Sequence, residues 1–270
     1  LYLFILIGIS CSAELKAQRN GTVYKGNDPA VRYTGRTLVS SDGSVAFDWV
    51  GTYLETRFTG GRLSVKVSET GTSYYNVFVD GKLHKVVKVC GTDTLIHLVS
   101  GIDKRIHSLK IQKRSEGEFG KTTIHQFVLS GSGRLAEEPA VRTRHIEFIG
   151  NSLTCGYGTD GKHRDEPFLV ETENCNLTFA SMVARYYDAD YTLIAHSGRG
   201  AARNYGDSVR VSKVTMKDRM LNTFDEDLTH KWNFKGYLPD LVVINLGSND
   251  FSTEPHPYKS EFTKAYKQIL

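Results

Sequence analysis

Cysteine is scarce in this chain, with four in 270 residues (Cys11, Cys90, Cys155 and Cys175). That is too few for a disulfide-stapled scaffold, and the spacings are not those of a zinc site. Lysine and arginine form no dense run, and the formal charge is only +4, which argues against a nucleic-acid partner. No apolar run approaches the ~20 residues that a membrane-spanning helix needs. No His/Asp cluster has metal-ligand spacing, so no metal or other cofactor is expected. Internal repeats and low-complexity tracts are missing too. What remains is an ordinary globular composition, 40% hydrophobic and 24% charged, long enough for one large or two ordinary domains.

The first residues depart from that average. Leu1 to Ile9, "LYLFILIGI", is uncharged and apolar and gives way to small and polar residues at "SCSAELKAQ". This is the length of the apolar region of a secretory signal. Without a preceding Met or basic segment, residues 1–17 read as part of a signal peptide, with cleavage after Ala13 or Ala17. "GISC" is an imperfect lipobox, which leaves lipid attachment at Cys11 as the alternative. The expected location is therefore secreted, periplasmic or cell-surface. In such an oxidising compartment Cys155 and Cys175 could bridge; Cys90 is expected to be a buried small hydrophobe.

Two rhythms divide the rest. From about Thr22 to Leu129 the segments are short, alternating and punctuated by turns: "SVAFDWV", "YLETRFTG", "RLSVKVSE", "YYNVFVDG", "KVVKVCG", "TLIHLVSG", "IHSLKIQKR". Period-two alternation buries one face, and Asp-Gly in "VDGK" marks a hairpin. About eight such strands without a helix predict an antiparallel, jelly-roll-like β-sandwich over residues 20–135. After "SGSGRLAEEP" the apolar runs become continuous ("HIEFIG", "YTLIAH", "LVVINLG"), as in parallel strands buried on both faces. Helical patterns lie between them, most clearly Leu177–Tyr187. Residues 140–270 therefore predict an α/β domain with a parallel sheet.

Three stretches carry chemistry. Ser152 follows the first parallel run in "EFIGNSLTC", "HSGRGAARNYG" follows the second, and "LGSND" follows the third. Open α/β sheets place reactive groups at the C-terminal ends of their strands. Taken alone, Ser152 reads as a turn residue, and its flanks, Gly150-Asn151-Ser152-Leu153-Thr154, are not a Gly-x-Ser-x-Gly elbow. Taken together, the three would set a serine hydroxyl, a glycine N–H and an asparagine amide on one rim. Ser152 Oγ would attack an ester carbonyl. The N–H groups of Ser152 and Gly198 and the amide of Asn249 would hold the oxyanion.

In order and spacing, "IGNSLTCGYG", "HSGRG…RNYG" and "INLGSNDFS" resemble the first three blocks of the SGNH (GDSL-like) hydrolases, with Asn where many members have Asp before the nucleophile. The β-sandwich followed by these blocks is similar, more narrowly, to carbohydrate esterase family 2. That resemblance implies a three-layer SGNH domain behind a jelly roll and removal of O-acetyl groups from hemicelluloses such as xylan and glucomannan. It implies Ser152 as nucleophile, Gly198 and Asn249 as oxyanion donors, and an acetylated polysaccharide or oligosaccharide as partner. The protein is read as a monomer.

The family takes its base from a late histidine in a fourth block. None of the nine histidines here sits in such a context. His256, in "TEPHPYKS", reads as a turn or rim residue, and His196 as a structural or rim residue. In "YKSEFTKAYKQIL", Phe262, Ala265, Tyr266, Ile269 and Leu270 form an apolar stripe expected to pack on the sheet. The reading is an SGNH domain that is partial at its C-terminus and inactive by itself. Two other functions stay open: a non-catalytic carbohydrate-binding protein, using Trp49, Tyr53, Tyr74 or Tyr75, and a lipase or phospholipase on the same core. Most such aromatics are core residues.

Overall fold

The computed structural model describes residues 21–137 and 140–270. The apolar N-terminal stretch and Cys11 lie outside the described residues, and so does the export signal read from them. Among the described residues no helix is long and apolar enough to cross a membrane.

Eight antiparallel strands make the first sheet: β1 (Thr22–Lys25), β2 (Val31–Thr34), β3 (Leu38–Val39), β4 (Val45–Phe47), β5 (Tyr53–Val79), β6 (Lys82–Lys113), β7 (Thr122–Ser130) and β8 (Arg134–Leu135). The expected run of separate short strands is corrected here. Three of them merge into the 27-residue β5 and three into the 32-residue β6. The two pair along almost their whole length with repeated register shifts. Bulges of this kind bend a strand, so one ribbon contributes to both faces of the curled sheet. Gly61 sits at one of the bends with φ +86°, where a Cβ would lie 2.3 Å from the Ser130 carbonyl oxygen. The hairpin read from "VDGK" is present, with Asp80 and Gly81 both at positive φ.

Alternation fills the sandwich as the sequence pattern requires. Leu63, Val65 and Val67 of β5 point inward with Phe47, Phe58, Phe127 and Leu129. Each such side chain gains roughly 1.5–3 kcal/mol on burial. The same alternation overturns the expectation for Cys90: Val89 takes the inward position, so the thiol is exposed. Trp49, Tyr53 and Tyr75 are core residues with at most 2% exposure. They cannot stack on a sugar, which removes most of the aromatics on which the binding-only reading relied.

The second sheet is parallel and has three strands in the order β10-β9-β11: β9 (His145–Gly150), β10 (Asp190–Ala195) and β11 (Leu241–Ile244). The helices are α1 (Ser152–Cys155), α2 (Phe179–Tyr186), α3 (Met216–Arg219) and α4 (Lys259–Lys267). Helix α2 lays the small residues Ala180 and Ala184 into the core beside Phe148 and Tyr191. β9 and β10 are buried, as their continuous apolar runs predict. β11 pairs only with β9 among the described residues, and its Leu241 and Val242 are 51% and 44% exposed. From α4 and the residues after it, Ala265 and Ile269 are buried while Phe262 and Tyr266 are partly so. Leu270 is 84% exposed, so it does not belong to the packed stripe.

The two sheets meet through residues 48–55. Val50 and Tyr53 join the core of the parallel sheet, and Trp49 packs with Ile149 and Ile194. Gly51 makes that approach possible, since a Cβ there would lie 2.6 Å from Leu193 Cδ1. A charge-balanced network seals the rim. The Asp190 carboxylate accepts from Arg32 (2.6 Å), Arg142 (2.8 Å) and the Tyr53 hydroxyl (2.6 Å), while Glu55 pairs with both arginines. Burial alone would raise the Asp190 pKa, but these donors hold it below the usual carboxylate value.

Among the histidines of the sandwich, His107 is the one whose environment raises its pKa. His107 is buried, with Nδ1 at 2.7 Å from Asp80 and Nε2 at 3.0 Å from Asp103. Asp80 is the chief cause of its raised pKa. A folded-state pKa above the unfolded value stabilises the fold fully below about 6.5, and that stabilisation is lost as pH rises through the folded value. The thermal midpoint is therefore expected to fall from mildly acidic to mildly alkaline pH. His107→Gln should flatten that fall when circular dichroism melts are compared across the range; an equal slope in the variant would exclude His107 as its source.

Candidate active site

Register decides which loops meet. Gly150 of β9 lies opposite Ala195 of β10, and Ile149 lies opposite both Ile194 and Ile244 of β11. Three parallel strands thus end level, and the segments after them leave the same edge of the sheet. Ser152, Gly198 and Asn249 stand on those three segments, as their sequence positions require.

The first segment turns at once into α1. Asn151 caps it: the side-chain oxygen accepts from the Leu153 N–H at 3.2 Å, and the amide donates to Ser248 Oγ at 2.9 Å. The cap residue therefore also ties the first segment to the third. Gly150 has no room for a side chain, because a Cβ would lie 2.0 Å from Thr154 Oγ1. Ser152 itself is half-buried.

The second segment is shaped by the third. Asp250 is buried, and its carboxylate accepts from the backbone N–H groups of Ala201 (3.0 Å), Ala202 (2.7 Å) and Arg203 (2.9 Å). Gly200 lets the carboxylate approach, since a Cβ there would lie 2.4 Å from Asp250 Oδ2 and 2.0 Å from the Arg203 carbonyl oxygen. Beside it, Asn249 donates one amide hydrogen to the Arg199 carbonyl at 2.8 Å. That bond turns the amide toward the Arg199–Gly200 peptide. Gly198 takes φ +74°, a conformation that glycine adopts at no steric cost. Arg203 is fully buried and donates to the Val209 carbonyl and Thr253 Oγ1, both at 3.0 Å, which closes the loop against the stretch after Asn249.

Neither candidate histidine serves the serine. His196 is buried, with Nδ1 2.7 Å from Asp225. Burial opposes charge on the ring, but Asp225 overrides it and raises the pKa. His256 pairs with Glu254 at 3.3 Å. Among the described residues no histidine ring hydrogen-bonds Ser152 Oγ, and both histidines keep the structural roles expected of them. Among the described residues the fold assembles two clusters that sequence spacing did not show, Glu116 with Cys155 and Glu173, and, beside Arg219, His196 with Asp225 and Glu226. Arg219 already donates to both carboxylates of the second, at 2.9 and 2.8 Å, so that cluster is balanced by protein cations. Cys155 and Cys175 are both buried free thiols. Burial pushes Cys175 up to about 12 and Cys155 well above the ordinary thiol value.

Sequence reasoning missed several residues that build the site. Asp250 stood in the quoted "GSND", but nothing local marks it as the acceptor of three N–H groups. Glu116 and Asp225 come from segments with turn-like composition, and only the fold brings them to the parallel sheet. Asn151 carried a legible signal, an Asn at a helix start.

Comparison with known proteins agrees with this architecture. The family described as "Carbohydrate esterase 2 N-terminal" matches residues 33–139, and the "GDSL-like Lipase/Acylhydrolase family" matches residues 148–270. The cellulase/esterase CelE of Acetivibrio thermocellus is 34% identical over 244 residues, 90% of this chain and 29% of that protein. An acetylxylan esterase / glucomannan deacetylase of Cellvibrio japonicus is 33% identical over 226 residues, 81% of this chain and 61% of that protein. The chain thus spans less than two thirds of the length of either relative. The structure of a family two carbohydrate esterase from Clostridium thermocellum in complex with cellohexaose superposes with a TM-score of 0.83. Its sequence is 35% identical, covering 88% of this chain and 72% of that one.

Asp250 is the acceptor whose loss should cost the loop most. Asp250→Ala would strand three buried N–H donors, and an expected loss of about 3 kcal/mol follows from the cost of unmade hydrogen bonds to a charged group. Urea unfolding monitored by tryptophan fluorescence measures it. A change within about 0.5 kcal/mol, the range of surface substitutions, would show that water replaces the carboxylate freely.

Proposed function

Because the chain belongs to carbohydrate esterase family 2, we propose that the full-length protein removes O-acetyl groups from hemicellulose of the xylan and glucomannan type by serine nucleophilic catalysis. The observation that carries this reading is the level ending of three parallel strands, which gathers Ser152, Gly198 and Asn249 on one edge. The names of the relatives as acetylxylan esterase and glucomannan deacetylase support the substrate class. A polysaccharide substrate also supports action outside the cytoplasm, in keeping with the signal-like N-terminus.

In the proposed reaction Ser152 Oγ adds to the acetyl carbonyl as its proton passes to a base. The carbonyl oxygen becomes an oxyanion, held by the N–H groups of Ser152 and Gly198 and by the Asn249 amide hydrogen not given to Arg199. Collapse expels the sugar hydroxyl, which takes the proton, and leaves an acetyl-serine that water hydrolyses to acetate. The donors are backbone and amide groups fixed before substrate arrives, so they need little reorganisation as charge develops. The base is taken to be a group other than His196 and His256, because neither ring hydrogen-bonds Ser152 Oγ and each directs its Nδ1 to a carboxylate, Asp225 or Glu254. Without a base Ser152 remains a neutral alcohol and a weak nucleophile.

A glycan has a surface to lie on beside this edge. Tyr157, just after α1, is 48% exposed and stacks on Phe168 with centroids 3.7 Å apart. Tyr205, whose N–H donates to the Gly198 carbonyl at 2.8 Å, is 61% exposed. Exposed aromatic rings of this kind present apolar faces to sugar rings while their hydroxyls stay wet. The cellohexaose in the Clostridium thermocellum structure supports a glycan chain as the bound group.

Steady-state kinetics on the full-length protein test the assignment. Ser152→Ala should abolish release of acetate from aryl acetates and from acetylated xylan while leaving the circular dichroism spectrum unchanged. Asn249→Ala should lower kcat on the order of a hundredfold to a thousandfold with little change in KM, the pattern of a lost oxyanion donor. A change in KM alone would make Asn249 a substrate-binding residue, and more than a few per cent of activity in Ser152→Ala would remove the serine from the mechanism.

A further inference from the structure

The β-sandwich places a buried carboxylate between the two halves of the catalytic edge. Glu116 follows the end of β6 in the loop Arg114–Gly117 and is fully buried. Its Oε2 accepts from the backbone N–H of Ser197 at 2.5 Å and from the Cys155 thiol at 3.3 Å. Ser197 is the residue before Gly198. Cys155 closes α1, the turn that begins at Ser152, and the next N–H, of Gly156, donates back to the Ser152 carbonyl at 2.9 Å. One oxygen atom from the first domain thus contacts both the nucleophile segment and the oxyanion segment of the second.

The loop that carries Glu116 is fixed from several sides. Lys113, also fully buried, donates to Ser73 Oγ at 2.7 Å and to the Glu116 carbonyl at 3.3 Å. The Glu116 N–H donates to Glu173 Oε2 at 2.9 Å. Burial first, and then the neighbouring Glu116 carboxylate, push the Glu173 pKa well up. Gly117 completes the seat: a Cβ there would lie 2.8 Å from Asp225 Cβ. Such a group cannot drift, and its desolvation is offset only while its donors stay in place.

We propose that Glu116 is a positioning residue of the esterase, donated by the β-sandwich, which orients the Ser197–Gly198 peptide toward the oxygen that forms at Ser152. The inference rests on the assignment of Ser152 and Gly198 under Proposed function. It acts by geometry. The Ser197 N–H, part of the His196–Ser197 peptide, is anchored on Glu116, so the start of the segment that presents the Gly198 N–H is held relative to α1, which the same oxygen contacts through Cys155. Loss of the anchor lets the peptide rotate, and a misplacement of about 1 Å can cost on the order of a hundredfold in turnover. Ground-state binding of the sugar does not depend on it.

The test compares Glu116→Ala, Glu116→Asp and Glu116→Gln with Ser152→Ala in the full-length protein, using an aryl acetate and kinetics normalised to folded protein. Glu116→Ala is expected to lower kcat about tenfold to a hundredfold with KM within about twofold. Glu116→Asp keeps the charge but shortens the reach, and should lower kcat in the same way, which covers the case in which the alanine variant does not fold. Glu116→Gln keeps an oxygen acceptor for the Ser197 N–H and should restore most of the turnover. Wild-type kcat in the alanine or aspartate variant overturns the proposal, and so does a glutamine variant as slow as aspartate. If Ser152→Ala itself turns over normally, the functional reading falls first, whereas an inactive Ser152→Ala beside an unchanged Glu116→Asp rejects the positioning role alone.

Discussion

The Asp250 carboxylate sets the shape on which the candidate site depends. Three consecutive N–H groups, those of Ala201, Ala202 and Arg203, converge on its two oxygens. A loop of glycine, alanine and arginine has little apolar mass of its own to hold it, so an ionic acceptor inside the protein takes that role. Charge-assisted bonds of this kind are stronger than neutral ones and short enough to fix direction. The consequences spread outward. The carboxylate can enter only because residue 200 is glycine, the loop then curls so that the Arg199 carbonyl meets Asn249, and Gly198 takes up its left-handed conformation. The proposed oxyanion donor Asn249 would have to be held in advance of any transition-state charge, and the group that shapes its loop is its neighbour in sequence.

The β-sandwich belongs to the same construction. Its contacts with the parallel sheet are not confined to apolar packing by Trp49, Val50 and Tyr53. Buried polar groups cross as well. Arg114 donates to the Glu173 carbonyl, Gln112 to the Tyr191 hydroxyl, Asn76 to Asn174, and the Asp48 carboxylate accepts from the N–H groups of Asp225 and Glu226. A buried network of this kind is stable only when every member is satisfied. The relative position of the two sheets is therefore specified, not merely preferred. The run of separate short strands that the sequence pattern suggests becomes, in space, one ribbon of two long strands, and the loop after its second strand delivers Arg114 and Glu116 under the edge that carries the candidate site.

Much of the fold was legible in the residues. Period two in the first half, continuous apolar runs in the second and Asp-Gly at the hairpin each report a local preference that the tertiary structure keeps. Other expectations failed for reasons of context. Cys90 follows an inward Val89 and so must point outward, although cysteine as a type is usually buried. Trp49, Tyr53 and Tyr75 look like candidates for sugar stacking in a list of aromatics, yet Trp49 and Tyr53 pack into the cores of the parallel sheet and Tyr75 into that of the sandwich. Glycine bends inside β5 and β6 read as strand breaks because a turn and a bulge use the same residue.

Ser152, Gly198 and Asn249 could be placed on one edge from the sequence because each follows an apolar run that reads as a parallel strand, and parallel strands send their successors to one edge. That inference needs periodicity and connectivity alone. The strand register, the anchoring of the second loop on Asp250 and the arrival of Glu116 beside Ser197 were decided by tertiary structure. Sequence separations of 81 residues between Glu116 and Ser197 and of 47 to 49 between Asp250 and its donors leave no local trace. A hydrogen bond between such distant groups forms only after the backbone has been folded by other forces, chiefly the burial of the apolar faces that the sequence does display.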